Sequence, residues 1–280
     1  MNIHKKRSNA ITYLFLSLMG FVMIYPLIWL FFSSFKSNKE IFTSLKMLPE
    51  VWNFSGYVQG WKGTGQFSFG YFLLNTFKMV LPTVVVTMAS STLVAYGFAR
   101  FNFKGKGLLF ALMLSTMMLP NAVLIIPRYL LFRDFGWLDS YKPFIIPQLF
   151  AFTAFFNYMM IQFIRGIPRE LDESAKMDGL GSFRILVLII LPLCKSALFS
   201  VFIFQFMWTW NDFFNPLIYI NSIANYPVSL ALRMSIDAQA AIEWNKILAM
   251  SFVSIIPVVA LFFSAQKYFV EGIATTGLKG

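Results

Sequence analysis

The sequence predicts an all-α fold that crosses a membrane about six times, and three observations lead there. Of the 280 residues, 58% are hydrophobic and only 12% are charged, against roughly 45–50% and ~25% in soluble domains. A water-facing surface for a chain of this length needs charge that is missing, whereas helices in lipid need none. The apolar residues also gather into runs of about 20, the length that crosses a bilayer at ~1.5 Å per residue. Finally, the net charge of +11 sits mostly at the ends of those runs, beside lipid headgroups. That placement argues against nucleic acid as a partner, in spite of the basic excess.

The first run covers about 10–34, behind a basic head of Lys5, Lys6 and Arg7. Its apolar part exceeds the ~7–15 residues of a secretory signal and no A-x-A site follows, so it reads as a retained membrane helix. Further runs fall at about 73–97, 107–131, 143–164, 195–217 and 247–269. An even number of spans puts both termini on one side, and the basic head marks that side as cytoplasmic. The "ARFNFKGKG" loop with Arg100, Lys104 and Lys106 falls on the same side, as does the loop carrying Arg165, Arg169, Lys176 and Arg184. The chain reads as one membrane domain, 1–280, with residues 1–9, about 165–192 and about 270–280 cytoplasmic.

Two features interrupt this pattern. Between Lys36 and Gly70 the sequence is rich in Gly and aromatics, which reads as a folded outside loop with an interfacial aromatic anchor. The third span contains "LPNAVLIIPRYLL", in which Pro120 and Pro127 remove backbone donors and Asn121 adds polarity at depth. Broken, polar membrane helices pack against protein or a water-filled cavity. Cys194 is the only cysteine, so no internal disulfide and no thiolate metal cluster can form. The single His4 lies in the basic head, and the scattered acids make no catalytic constellation.

The loop after the fourth span holds "IPRELDESAKMDG". Pro168 suits a first helical turn, Glu170, Asp172 and Glu173 suit the positive end of the helix dipole, and Gly179 suits a C-terminal cap. Such a helix is ~16 Å long, too short to span a bilayer. It carries acids that anionic headgroups repel, so a docking surface for another protein fits better than lipid.

Glu173, Ser174, Ala175, Gly179, Ile189, Leu191 and Pro192 fall at the spacing E-A-A-x3-G-x9-I-x-L-P, with Ser174 in place of the middle alanine. This resembles the EAA loop of permease subunits of ABC importers. The resemblance implies a type I importer fold in which this loop, Asp178 included, is a coupling helix seated in a cleft of a separate ATPase subunit. The tail "VEGIATTGLKG" is similar to the ends of maltose-type, carbohydrate-uptake permeases, with one extra residue between Gly272 and Gly277. That likeness implies contact between Gly272, Thr275, Thr276, Gly277 and Lys279 and the ATPases. Composition alone would leave the tail disordered.

"FMWTWNDFFNPLIYI" also looks like a fifth-helix segment of sugar permeases. Trp208, Trp210, Asn211, Asp212 and Asn215 offer aromatic faces and hydrogen-bonding groups suited to sugar rings. Tryptophan is equally an ordinary interface anchor, and Asn or Asp can pair with a neighbouring helix. Asn157 and Asn75 are further candidates for the solute pathway, although Asn75 could equally bind backbone. The loop from about Asn221 to Asn245 is expected to face an external solute-binding protein.

No G-x-x-x-x-G-K-[ST] occurs, so the chain cannot cradle ATP phosphates. The resemblance implies a carbohydrate (oligosaccharide) importer in a bacterial cytoplasmic membrane, with ATP and Mg held by two partner ATPases and no cofactor on this chain. Its other partners would be a second homologous permease, an extracytoplasmic sugar-binding protein and membrane lipid. A permease for a non-sugar solute such as amino acids or peptides is the alternative. A secondary transporter would leave the loop spacing unexplained.

Overall fold

The computed structural model describes residues 3–63, 66–237 and 243–277, and every regular element among them is helical. In order these are α1 (Ile3–Ser33), α2 (Asn38–Thr43), α3 (Ser55–Lys62), α4 (Phe69–Arg100), α5 (Lys106–Met117), α6 (Asn121–Asp134), α7 (Lys142–Leu149) and α8 (Ala154–Arg165). There follow α9 (Glu170–Met177), α10 (Ser182–Ile185), a π-helical turn (Leu186–Ile190), α11 (Leu191–Leu193), α12 (Lys195–Trp210), α13 (Phe214–Tyr219), a 3₁₀ turn (Ile223–Asn225), α14 (Val228–Asp237) and α15 (Trp244–Gly277).

Four segments, Thr12–Ser33, Phe69–Arg100, Lys142–Arg165 and Trp244–Ser264, are long and apolar enough to cross a membrane. Two bent pairs are long and apolar enough together: α5 with α6 at 104°, and Ser182–Leu193 with α12 at 77°. Counting each pair as one span gives six, but the third and fifth runs are not the single helices their hydropathy predicts. In the third, Pro120 stands extended (φ −62°, ψ 131°) before α6; it has no N–H for α5 to continue through. In the fifth, the run predicted to reach 217 stops at Trp210. There the Asp212 carboxylate accepts the Asn215 backbone N–H at 3.1 Å and its side-chain amide at 2.7 Å, which redirects the chain into α13. The apolar stretch 182–193, placed by sequence in a loop, is helical and leads into α12.

The chain divides into two compact units, Met1–Tyr71 with Ala231–Ile256, and Phe72–Leu230 with Pro257–Gly280. In the first, the buried Phe35 ring lies 5.1–5.2 Å from those of Trp52, Phe54 and Tyr57. The buried Lys36 ammonium donates to the Lys46 carbonyl, so this aromatic-rich segment is a folded body. Gly56 and Gly60 let α3 approach α15: a Cβ at Gly56 would stand 2.7 Å from the Asn245 carbonyl oxygen, and one at Gly60 2.8 Å from Met250 Cγ. This is close packing through a small-x-x-x-small pair.

In the second unit α4 runs through two apolar clusters. Met79, Val80 and Val84 pack with Phe132, Phe144 and Phe206, and further along Ala95 and Ala99 pack with Met160, Ile164, Ala175, Ile185 and Cys194. Its hydroxyls bond back to the helix's own carbonyls, as in Thr83 to Met79 (2.7 Å) and Thr92 to Met88 (2.6 Å), so they need no outside partner in an apolar setting.

At the end of α4 a buried ion pair joins Arg100 Nε to Asp172 Oδ2 at 3.0 Å, with side chains 6% and 9% exposed. The N–H direction is off the line to the oxygen, so charge rather than an aligned hydrogen bond holds this contact. Arg100 Nη2 also donates to the Ile167 carbonyl at 3.0 Å. Removing one partner strands a buried charge, whereas replacing both with apolar groups does not. Asp172→Ala should therefore destabilise the protein by about 3–5 kcal/mol, and Arg100→Leu with Asp172→Leu should recover most of that. Thermal melts of the single and double variants in one detergent check this.

Candidate functional site

Helix α9 begins at Glu170, with Arg169 as its N-cap and Pro168 just before rather than inside its first turn. Glu170, Asp172 and Glu173 occupy the first turn, where the helix dipole favours acids. At the other end Gly179 adopts φ +81°, its N–H donates to the Lys176 carbonyl at 3.0 Å, and the Leu180 N–H donates to Ala175 at 3.0 Å. These two bonds make a Schellman cap, whose left-handed position glycine takes without a Cβ penalty. Arg169 Nη2 to the Ala99 carbonyl (3.2 Å) and Tyr96 Oη to the Ser182 carbonyl (3.0 Å) add to the Arg100 contacts, so the segment is seated on the end of α4 from both flanks.

The motif residues sort into two sets. Glu173, Ser174, Asp178 and Gly179 are exposed. Ala175 is buried in the protein's own core, and Ile189 and Leu191 pack against the same cluster. The small side chain at Ala175 therefore permits close approach to this chain's own helices. Pro192 sits in the first turn of α11, just ahead of the bend into α12. The outward face also presents Met177, 89% exposed, and Phe183, 70% exposed. Sequence reasoning passed over both; for Met177 the signal was an apolar residue set between the charged Lys176 and Asp178.

A cavity of ≈150 Å³ opens in the second unit between α4, α6, α7 and α12. Trp208, Asp212 and Asn215, three of the predicted pathway residues, line it together with Thr83, Arg128, Gln148, Gln205 and Thr209. The Trp208 ring stands 5.3 and 5.0 Å from those of Phe155 and Phe156, which fixes its face. Gln205 donates to Thr209 Oγ1 at 2.8 Å. The Arg128 guanidinium lies 5.1 Å over the Phe152 ring, a cation–π contact. Arg128 was legible as a base within a predicted span, yet only the fold aims it into the cavity. Donors, acceptors and an indole face on one small surface suit a hydroxyl-rich solute. At this volume the cavity is smaller than the roughly 300–1,000 Å³ of ligand pockets. Among the described residues no group of three His, Cys, Asp or Glu could hold a metal.

The other predicted pathway residues lie elsewhere. Asn211 is exposed and outside the cavity lining. Trp210 is 6% exposed and stacks on Phe206 at 5.3 Å, as core. Asn157 is buried, and its amide donates at 2.6 Å to the carbonyl of Ala151, a residue at φ +53° in the break between α7 and α8. Asn75 is buried and donates to the Ala224 (2.8 Å) and Tyr226 (3.2 Å) carbonyls. Both amides are thus committed to irregular backbone, the alternative left open for Asn75.

The segment 221–228 is held from three directions. Besides Asn75, Thr76 Oγ1 accepts the Val228 N–H at 2.9 Å and Tyr141 Oη donates to the Asn225 carbonyl at 3.2 Å. Asp139, at φ +56°, receives the Asn221 and Ser222 backbone N–H groups at 3.1 and 2.8 Å and the Ser222 hydroxyl. Burial pushes the Asp139 carboxyl up, but those bonds and one from Asn225 outweigh it and hold it below the usual carboxylate range. In the predicted tail, Gly272, Thr275, Thr276 and Gly277 continue α15, so the backbone is ordered as helix to that point. Lys279 lies outside the described residues.

Comparison with known proteins places these features in a family. The family model described as the binding-protein-dependent transport system inner membrane component matches residues 91–275. The probable ABC transporter permease protein YurM of Bacillus subtilis is 33% identical over 96% of this chain and 88% of its own. The arabinooligosaccharides transport system permease protein AraQ of the same organism is 32% identical over 95% and 94%. An sn-glycerol-3-phosphate transport system permease protein, UgpE of Rhizobium meliloti, is 30% identical over 96% and 97%. A chain in the crystal structure of a bacterial ABC transporter that imports the acidic polysaccharide alginate superposes with a TM-score of 0.83 at 24% identity, covering 96% of this chain and 99% of that one.

The cap geometry makes its own prediction. Gly179→Val forces a β-branched residue into the left-handed region at about 1–2 kcal/mol or more, so the Leu180 amide should exchange hydrogen faster; Gly179→Asn, which tolerates that region, should lose less. Hydrogen exchange read by mass spectrometry over the α9 peptide checks the order.

Proposed function

The chain belongs to the binding-protein-dependent transport system inner membrane components, and from that premise we propose that it is the permease subunit of an ATP-driven carbohydrate (oligosaccharide) importer. It supplies half of a translocation pathway in a bacterial cytoplasmic membrane, with both termini and α9 in the cytoplasm. A second, homologous permease supplies the other half. Two ATPase subunits hold ATP and Mg, and an extracytoplasmic binding protein delivers the solute. One solved alginate transporter of the same fold is in complex with an alginate pentasaccharide-bound periplasmic protein, which supports that last partner.

The observation that carries the coupling role is the division of the motif on α9. Its packing residues, Ala175, Ile189 and Leu191, are used inside the protein, while Glu173, Ser174, Asp178 and Gly179 stay free beside the protruding Met177. An apolar knob with charged neighbours of both signs, Glu173, Lys176 and Asp178, on a short helix fits a cleft with an apolar floor and polar edges. Closure of the ATPases around nucleotide would then move the seated helix and, with it, the spans it is fastened to. The tail residues Gly272, Thr275, Thr276, Gly277 and Lys279 reach the same partners.

For the solute, Trp208, Asp212 and Asn215 are the pathway contacts we propose, with Arg128, Gln205 and Thr209 added by the cavity. The cavity's small volume fits a pathway whose other wall comes from the second permease. Relatives named for arabinooligosaccharides and diacetylchitobiose support a sugar. A second reading, an anionic or phosphorylated polyol, draws on Arg128 in the cavity and on the glycerol-phosphate relative.

Two measurements test these roles. Glu173→Lys should cut recovery of the ATPase subunits on purification of the detergent-solubilised complex by about tenfold, or ~1.4 kcal/mol, without loss of the permease from the membrane. Asp212→Ala should lower oligosaccharide uptake into proteoliposomes by a similar ~1.4 kcal/mol factor while basal ATP hydrolysis is kept; equal uptake would remove Asp212 from the pathway.

A further inference from the structure

Resting on the coupling reading above, we infer that α4 is the strut that carries movement of the α9 segment to the 221–228 segment, and that Arg100 is the positioning residue locking α9 to it. The argument begins with what fastens each end of this helix. At its C-terminal end Arg100 meets Asp172 (3.0 Å) and Ile167 (3.0 Å), Ala99 accepts from Arg169 (3.2 Å), and Tyr96 donates to Ser182 (3.0 Å). Twenty-odd residues earlier, Asn75 holds Ala224 and Tyr226 (2.8 and 3.2 Å), and Thr76 holds Val228 (2.9 Å). At 1.5 Å per residue the two sets of bonds are roughly 35 Å apart. All belong to the second unit.

The competing route is the chain itself, from α9 through Leu191-Pro192 into α12. It passes a π-helical turn at Leu186–Ile190 and a 77° bend, and a π turn is the kind of irregularity at which a helix gives. Two other crossings within this unit are also interrupted, at 118–120 between α5 and α6 and at 150–153 between α7 and α8. Two helices run through the unit unbroken, α4 through Pro82 and the part of α15 from Pro257, and of these it is α4 that is fastened to the α9 segment at one end and to the 221–228 segment at the other. It is braced by buried apolar residues near both ends and lines the cavity through Thr83. A displacement of α9 is therefore delivered to α4 by charge and hydrogen bonds, while the covalent connection can absorb it. The same rod reaches the cavity wall and the segment proposed to meet the binding protein.

The test uses the assembled complex of both permeases and both ATPases in nanodiscs, with a spin label at Ile223→Cys. Ile223 is 44% exposed, and Cys194, the only cysteine of this chain, is buried; the partner subunits are used in cysteine-free form. The readout is the spectral change at this label between nucleotide-free complex and complex trapped with Mg-ATP and vanadate. Arg100→Gln should reduce that change at least fivefold in complexes that still hold their ATPases, and Arg100→Lys should keep at least half of it. Thr76→Val, which leaves the Arg100–Asp172 pair intact and removes the acceptor for Val228, should reduce it likewise and decides the matter if Arg100→Gln does not assemble. A full change in either the Gln or the Val variant overturns the strut, as does its loss in Pro192→Ala with retention in Arg100→Gln. Failure of the unsubstituted chain to retain ATPases would instead sink the coupling reading itself.

Discussion

Inside hydrocarbon an unpaired backbone N–H or carbonyl costs several kcal/mol, so a chain that departs from a straight helix there must supply other partners. Several of the departures in this protein carry such partners on nearby side chains. Asn157 donates to the Ala151 carbonyl where α7 gives way to α8, and Asp212 accepts the Asn215 N–H where α12 turns into α13. Asn75 serves two carbonyls of the 221–228 segment and Thr76 accepts one of its N–H groups. Most polar residues that looked like solute ligands are thus engaged in making a broken helical bundle possible. Asp212 does both, satisfying backbone with its oxygens while lining the cavity.

The same economy shapes the segment after α8. A helix of eight residues is too short to be stable alone, and α9 owes its position to contacts outside itself. These are the buried Arg100–Asp172 pair, the Arg169 and Tyr96 bonds, and Ala175 and Leu180 against the core. Burial of an ion pair is weak evidence for stability, since desolvation offsets attraction. What the pair supplies is fixed geometry, and with it a defined outward face of Glu173, Ser174, Met177 and Asp178.

Much of the site was legible because it is written in local rules. Gly179 was predicted as a cap and takes a left-handed backbone there, because a Schellman turn selects glycine through its own neighbours. Trp208, Asp212 and Asn215 were predicted from residue type at a span's end and meet in one cavity. Arg100 was read only as a topogenic base and Asp172 only as a dipole-facing acid; their pairing across 72 positions of sequence leaves no local trace. Arg128 and Met177 were missed for the same reason, since which way a side chain points depends on what packs behind its helix. The bends were half legible: Pro120 announces a break, whereas Asp212 and Asn215, whose residue types also make turns, were read for their hydrogen-bonding chemistry and not as the end of α12.

By itself the sequence determined that this is a helical membrane protein with about six spans and a polar, glycine-capped segment after the fourth, because hydropathy and caps act over a few residues. Tertiary structure alone decided which motif residues face inward and which outward, which amides serve backbone and which line the cavity, and that α4 bonds to both the α9 and the 221–228 segments. Those outcomes depend on side chains brought together from distant positions, where burial and pairing set the energy.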